Sequence, residues 1–285
     1  MGIQLLLLGL AMSFLGGFDL SLQDRMKEDM RFLTSKELDG RVSGTSGFYR
    51  ASLYIYEELD RLGLQPKRQH FDFPCRYRQN TKEVWVRGEN VFGVIKSGKK
   101  NAKTIVIGAH MDGVKYPAAN DNASGTVALL ALASQLHLYK WNHDIVFVAF
   151  GGEEQGLCGS QYFVKQSSAA DFRYMINLDM VGQSLQKKGR PIFVLGDDEN
   201  PELRAAFKMH DTNVLFGNAM RFSYEWSSDH RPFHDAGVPS VLLIGGNTED
   251  HHKPSDVADK IEYDYMERVV KLVLNALSEL DKSPQ

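Results

Sequence analysis

The sequence predicts an α/β fold in which a mixed, largely parallel central sheet is flanked by helices on both faces. Three observations carry this. Short apolar, β-branched runs recur at Ile105–Ile107, Asp144–Phe150, Tyr174–Val181, Ile192–Leu195 and Ser240–Ile244; each is too short for a helix and reads as a strand buried on both faces. Helical patterns alternate with these runs, as parallel strands require. His110 and Asp112 stand where the first run ends, and open α/β sheets place their ligands at that edge.

In chain order, Met1–Gly17 has no charged residue and carries an apolar stretch, Leu5–Leu10, that continues through Phe14 to the small residues Ser13, Gly16 and Gly17. It resembles a secretory signal peptide, so a secreted or periplasmic product is expected. The run is well short of the roughly 20 apolar residues of a spanning helix, so a membrane anchor is less favoured and no span is expected in the mature chain. Residues 18–285 then form one domain. Ser21–Leu64 reads as two helices, with Leu22, Met26, Phe32 and Leu33 apolar in the first and Leu53, Ile55, Leu59 and Leu62 in the second. The glycines of GRVSGTSG separate them, and Gly63 with Pro66 ends the second. Within 69–101 the runs Val84–Val86 and Asn90–Lys96 read as strands, closed by SGKKN as a turn. Val127–Leu138 reads as a helix, and Ile261, Tyr265, Val269, Leu272, Ala276 and Leu280 recur at helical spacing near the end.

Composition narrows the function. The 285 residues are 43% hydrophobic and 24% charged, ample for a sizeable core, and the net charge of −3 offers no basic face for nucleic acid. Two cysteines, Cys75 and Cys158, exclude a disulfide framework and a cysteine zinc site but leave one bridge between them open.

Five positions at strand ends bear chemistry. His110 and Asp112 share a face, because alternate residues of an extended chain do. Asp121, in NDNASG, lies just before the helix at Val127. GGEEQGLCGS puts Glu153 and Glu154 side by side, and their mutual repulsion implies that one faces a cation. Asp179 in NLDMVG follows the third run, and His251 and His252 in NTEDHHKPSD follow the last. Consecutive residues face different ways, so at most one of these two histidines is expected to be a ligand. Nitrogen and oxygen donors without cysteine suit zinc or manganese, and a carboxylate can bridge two ions. His70, His137, His143, His210 and His234 lack such partners and read as surface or hydrogen-bonded core residues.

The ordered set His-x-Asp, NDNASG, GGEEQGLCGS, NLDMVG, SDHRPFHDAGVPSVLL and HHKPSD, together with GRVSGTSG, resembles the co-catalytic zinc aminopeptidases of family M28, those without a protease-associated domain. The resemblance runs over nearly the whole chain after residue 20. It implies two zinc ions per chain: His110 and Asp179 on one, Glu154 and His252 on the other, with Asp121 bridging. It gives Asp112 the task of orienting His110 and Glu153 that of general base to a water attacking the scissile carbonyl. The substrate it implies is a peptide or small protein with a free N-terminus. His251 stands where the family often has Tyr, and is expected to donate a hydrogen bond to the oxyanion. Asp229 and His230 match a family motif outside the ligand set. Phe216, Phe222, Tyr224 and Trp226 are expected to shape the pocket. Three other readings stay open: a single-zinc glutaminyl cyclase on the same fold, a non-catalytic binding relative, and a carboxypeptidase or deacylase, since the metal ligands do not say which end of a substrate is held.

Overall fold

The computed structural model describes residues 20–75, 84–186, 188–196, 200–217, 228–246 and 248–282; the leader expected at 1–17 lies outside them. Ser21 starts helix α1 (Leu22–Leu33), its hydroxyl accepting the Asp24 N–H at 3.2 Å. Thr45 caps α2 (Ser46–Arg61) in the same way, accepting from the Phe48 N–H at 3.3 Å. Such side chains satisfy N–H groups that the first turn of a helix leaves unpaired. Between the two helices a short 3₁₀ segment, Lys36–Arg41, passes Gly40 at a φ of +73°. A Cβ on Gly40 would meet the backbone of Lys115 and Tyr116, so this loop lies directly on the one that follows His110.

Eight strands form one sheet: β1 (Lys67–Cys75), β2 (Val84–Ile95), β3 (Thr104–His110), β4 (Asp144–Phe150), β5 (Phe172–Leu178), β6 (Ile192–Leu195), β7 (Val214–Gly217) and β8 (Ser240–Ile244), in the spatial order β1-β2-β4-β3-β5-β8-β6-β7. The centre, β4-β3-β5-β8, is parallel throughout. β2 joins it antiparallel on one side and β6 on the other, so the sheet is mixed with a parallel heart. The two runs read at Val84–Val86 and Asn90–Lys96 are one strand, β2. Gly88 interrupts its apolar pattern because the rings of Phe71 and Phe73 on β1 occupy the space a side chain there would need.

Helices cover both faces. Ile105 and Ile107 pack with α1, α2, α3 (Ser124–Leu136) and α7 (Tyr263–Leu280), joined by Leu203 and Phe207 of α5 (Pro201–Lys208). Val106, between them, points the other way, with Val146, Val148 and Phe150, against Phe163 of α4 (Cys158–Lys165) and Phe233 of α6 (His230–Asp235). This strict alternation is what a sheet buried on both sides demands. Every residue from Ser124 to Ala133 is buried, because α3 runs between the sheet and the α1 and α7 helices. His143, read as a surface or hydrogen-bonded core residue, is the latter: it is fully buried with its Nδ1 3.0 Å from Asp281 Oδ1.

Candidate functional site

Four parallel strands end at one edge, and the chemistry gathers there. His110 is the last residue of β3, Glu153 and Glu154 follow β4, Asp179 is the first residue beyond β5, and His251 and His252 lie in the loop after β8. Asp121 comes from the turn that leads into α3, and the Asp121–Asn122 peptide is cis.

Asp121 is the centre. Its Oδ1 lies 3.4 Å from His110 Nε2, which is also 3.5 Å from Asp179 Oδ1. Its Oδ2 lies 3.0 Å from His252 Nε2, which in turn is 3.2 Å from Glu154 Oε2. The two oxygens thus face different imidazoles, Oδ1 that of His110 and Oδ2 that of His252. Donor atoms of His110, Asp121 and Glu154, of His110, Glu153 and Asp179, and of Asp121, His251 and His252 lie in each case within 4.8 Å of one another, close enough to hold an ion.

The surrounding backbone is held by side chains that the sequence reading passed over. Asp256 accepts the N–H groups of Asn120 and Asp121 at 2.7 and 3.0 Å. Asn122 donates to the Leu178 carbonyl at 2.9 Å and accepts from the N–H groups of Gly125 and Met180, which ties the Asp121 turn to the exit of β5. Ser228 donates to Asp179 Oδ2 at 2.7 Å. Arg41 is wholly buried, and its guanidinium donates to the carbonyls of Leu33, Met111, Pro117 and Ala118. It therefore pins both ends of the loop between His110 and Asp121. The Ser43 hydroxyl donates to Asp112 Oδ2 at 3.1 Å and accepts the Gly152 N–H at 2.9 Å. Asp112 also accepts the N–H groups of Glu153 and Glu154, at 3.2 and 3.4 Å. Its carboxylate lies 3.7 Å from His110 Nδ1 while its carbonyl lies nearer, at 3.2 Å, so backbone and side chain together face the imidazole.

The electrostatics call for cations. Burial alone would depress His110, yet the carboxylates of Glu153 and Asp179 outweigh it and hold the imidazolium well above its usual range. Burial raises Asp121, but hydrogen bonds from His110, His251 and His252 more than reverse that, leaving it well below the ordinary carboxylate. Burial pushes Glu153 well up and also raises Glu154, with His110 and His252 respectively opposing. Asp229, fully buried, is pushed up to about 7 by burial, partly offset by His110. His252 is raised to about 10 by its hydrogen bonds to Asp121 and Glu154. Arg41, the buried cation nearby, spends its N–H groups on carbonyls, and Glu154 Oε1 accepts no hydrogen bond among the described residues. An excess of buried carboxylates with an unmet oxygen, arranged around imidazole nitrogens and free of thiolates, fits divalent metal ions.

Five expected ligands, His110, Asp121, Glu154, Asp179 and His252, thus converge, with Glu153 beside His110 and Asp179. Two expectations are corrected, for the paired histidines and for Phe216. His251 and His252 do not face different ways: their ring centroids are 3.8 Å apart, and both Nε2 atoms lie 3.0 Å from Asp121 Oδ2. His252 sits at a φ of +57°, and this left-handed residue breaks the alternation that extended chain would impose. Phe216, expected at the pocket, instead packs against the main core on edge strand β7 with the Arg204 guanidinium over its ring. Phe222, Tyr224 and Trp226 lie outside the described residues, as does the Cys75 side chain on which the question of a bridge to Cys158 turns. Arg41, Ser43 and Asp256 were not singled out from the sequence, although they stand within motifs quoted above, GRVSGTSG and HHKPSD, which is the signal that could have found them.

Residues 90–277 match the sequence model described as peptidase family M28. Aminopeptidase YwaD of Bacillus subtilis (strain 168) is 31% identical over 205 residues, covering 68% of this chain and 45% of that protein. The chain spans about half the length of the first curated relatives it matches. Among solved structures, a zinc aminopeptidase from Bacillus subtilis superposes with a TM-score of 0.79 at 20% identity, covering 92% of this chain and 96% of that one. A glutaminyl cyclase from Fimbriiglobus ruber superposes at 0.72, also at 20% identity, covering 94% of this chain and 98% of that one. Both establish the likeness of fold.

Proposed function

Since this chain belongs to peptidase family M28, we propose that it is a metal-dependent aminopeptidase that removes N-terminal residues from peptides or small proteins at a pair of zinc ions bridged by Asp121. The observation that carries the reading is the split of the Asp121 carboxylate, one oxygen toward His110 and Asp179 and the other toward His252 and Glu154. A single ion needs no such division. His110, Asp179 and Asp121 would hold one zinc, and Glu154, His252 and Asp121 the other; when bound, the pair lowers the pKa of a water and polarises the scissile carbonyl. The chain's own residues supply the proton chemistry. Glu153 stands among His110 and Asp179 but outside the Glu154 group, free of the hydrogen bond from His252 that engages Glu154. Burial raises its carboxyl, which suits it to accept a proton from the water and pass it to the departing amine. Asp112 keeps that glutamate in place through the Glu153 N–H and faces the His110 imidazole. Export by way of the apolar 1–17 segment belongs to the same proposal, supported by its apolar Leu5–Leu10 run and the small residues Ser13, Gly16 and Gly17 near its end.

The test is a metal count on the purified chain, paired with release of free amino acid from a panel of aminoacyl substrates and with cyclisation of an N-terminal glutamine peptide. Two zinc ions and chelator-sensitive release of N-terminal residues is the expected result. One ion with cyclisation would instead establish the glutaminyl cyclase reading, and activity confined to C-terminal residues or acyl groups would establish the other hydrolase readings.

A further inference from the structure

The loop after β8 carries a second imidazole that the bridged pair does not use. The turn at His252 sets the two rings side by side, tilted 35° to one another, and brings His251 Nε2 as close to Asp121 Oδ2 as His252 Nε2 is, both at 3.0 Å. This is not a loose tip. The His251 N–H donates to the Thr248 carbonyl, the Lys260 ammonium pairs with Asp250 at 2.6 Å, and the Asp256 N–H donates to the Lys253 carbonyl. Asp256 in turn grips the N–H groups of Asn120 and Asp121. The loop bearing the histidines and the turn bearing Asp121 are thereby one unit, and the approach of His251 to Asp121 is fixed by the same bonds that fix His252.

The consequence is an asymmetry between the two oxygens of Asp121. On the Oδ1 side stand one imidazole and two carboxylates, from His110, Asp179 and Asp121 itself. On the Oδ2 side stand His252, Glu154, Asp121 and also His251. We propose that His251 is a ligand to the same metal ion as His252, so that this position has four protein donors, loads first and holds its zinc far more tightly than its neighbour. Four donors complete the tetrahedral shell that zinc adopts in closed sites, whereas three leave a place for water or substrate. A second imidazole also moves the site's preference toward zinc and cobalt and away from magnesium and manganese, which favour oxygen. The division of labour follows: the His251 side is a holding site that orders Asp121, and the His110 side, beside Glu153, is the open one.

This inference rests on the two-metal reading, and the experiment separates the two. Zinc binding to the metal-free full chain is measured by calorimetry against a competing chelator and by native mass spectrometry, for the unaltered protein and for His251→Gln and His251→Tyr. The first cobalt(II) equivalent is followed by its visible spectrum. The expected result is two stepwise ions in the unaltered chain, with the first weakened by well over about 100-fold in both variants, the second unchanged, and the spectrum of the first cobalt altered; loss of an inner donor should exceed the roughly 10- to 100-fold seen for outer partners. Two ions with the same affinities and spectrum in all three proteins would overturn the inference and leave the two-metal reading standing; a fall in turnover alone would then make His251 a contact to substrate. One ion in the unaltered chain, weakened in both variants, would overturn the two-metal reading and keep His251 as a ligand. The two variants guard against a folding defect peculiar to either replacement.

Discussion

Replacing Arg41 by Met should destabilise the chain and loosen its metals together. Arg41 is 1% exposed, and its guanidinium makes four hydrogen bonds, all to backbone carbonyls: Leu33, Met111, Pro117 and Ala118. Hydrogen bonds to a charged group contribute about 1.5–3 kcal/mol each. Against them stands the cost of keeping the cation dry: burial, opposed by Asp112 and Asp256, lowers its pKa from the ordinary arginine value to about 10, equivalent to about 3 kcal/mol. Met fills similar space but leaves the four carbonyls without a donor, so a net loss of about 3 kcal/mol or more is expected. Lys keeps the charge but not the planar fork, so Arg41→Lys should lose less. The assay is equilibrium urea unfolding of metal-free protein, followed by zinc titration. Because Met111, Pro117 and Ala118 lie in the loop between His110 and Asp121, zinc affinity should fall in the same order, Met variant below Lys variant. A loss of less than about 1 kcal/mol in Arg41→Met would refute the stability argument. Stability lost with zinc affinity intact would refute the claim that Arg41 sets the geometry of the site.

Other outcomes follow from the same geometry. Glu153→Gln should retain its zinc and lose turnover by about 100-fold or more, as loss of a general base predicts; metal analysis with single-turnover kinetics checks it, and loss of zinc would exchange the roles of the two glutamates. Ser43→Ala removes the hydroxyl shared by Gly152 N–H and Asp112 Oδ2. It should cost about 1–2 kcal/mol in urea and lower kcat more than it raises KM, since it frees the loop bearing Glu153; unchanged kcat would count against that coupling. Asp29 accepts the Tyr54 hydroxyl at 2.6 Å, and burial raises its carboxyl from 3.8 to about 6. An acid whose folded pKa is raised contributes stability that is fully present below its unfolded pKa and lost as pH rises through its folded one. At neutral pH its ionisation therefore costs about 3 kcal/mol. Asp29→Asn, which keeps the acceptor for Tyr54, should raise the urea midpoint at about pH 7.5 and flatten the stability profile between about pH 4 and 6; an unchanged profile would show that the slope arises elsewhere.

Much of the fold was legible because it depends on short-range pattern. Buried parallel strands must be apolar on both faces, so β4, β6 and β8 stand out at their ends and β3 by its Ile105–Ile107 centre, and the last helix shows its one apolar stripe. The elements that escaped notice, α4, α5, α6 and β7, are four to eight residues long, too short for a period to assert itself. The ligands were legible for a related reason: a strand end in an open sheet is a predictable place, and His110, Glu154, Asp179 and the His251–His252 pair all follow apolar runs.

What the sequence determined by itself is therefore the α/β class, the order of its main strands and helices, and the residues that stand at one edge of the sheet. Only the tertiary structure decided how those residues share their work. That Asp121 divides its oxygens, that Asp112 is gripped by Ser43 and two backbone N–H groups, that Arg41 and Asp256 hold the turn from beneath, and that His251 lies alongside His252 are contacts across up to 136 residues of chain. No local pattern encodes such distances. The reversal at His252 depends on one residue in the left-handed region, and a histidine there is held by the surrounding contacts because its own backbone preference does not put it there.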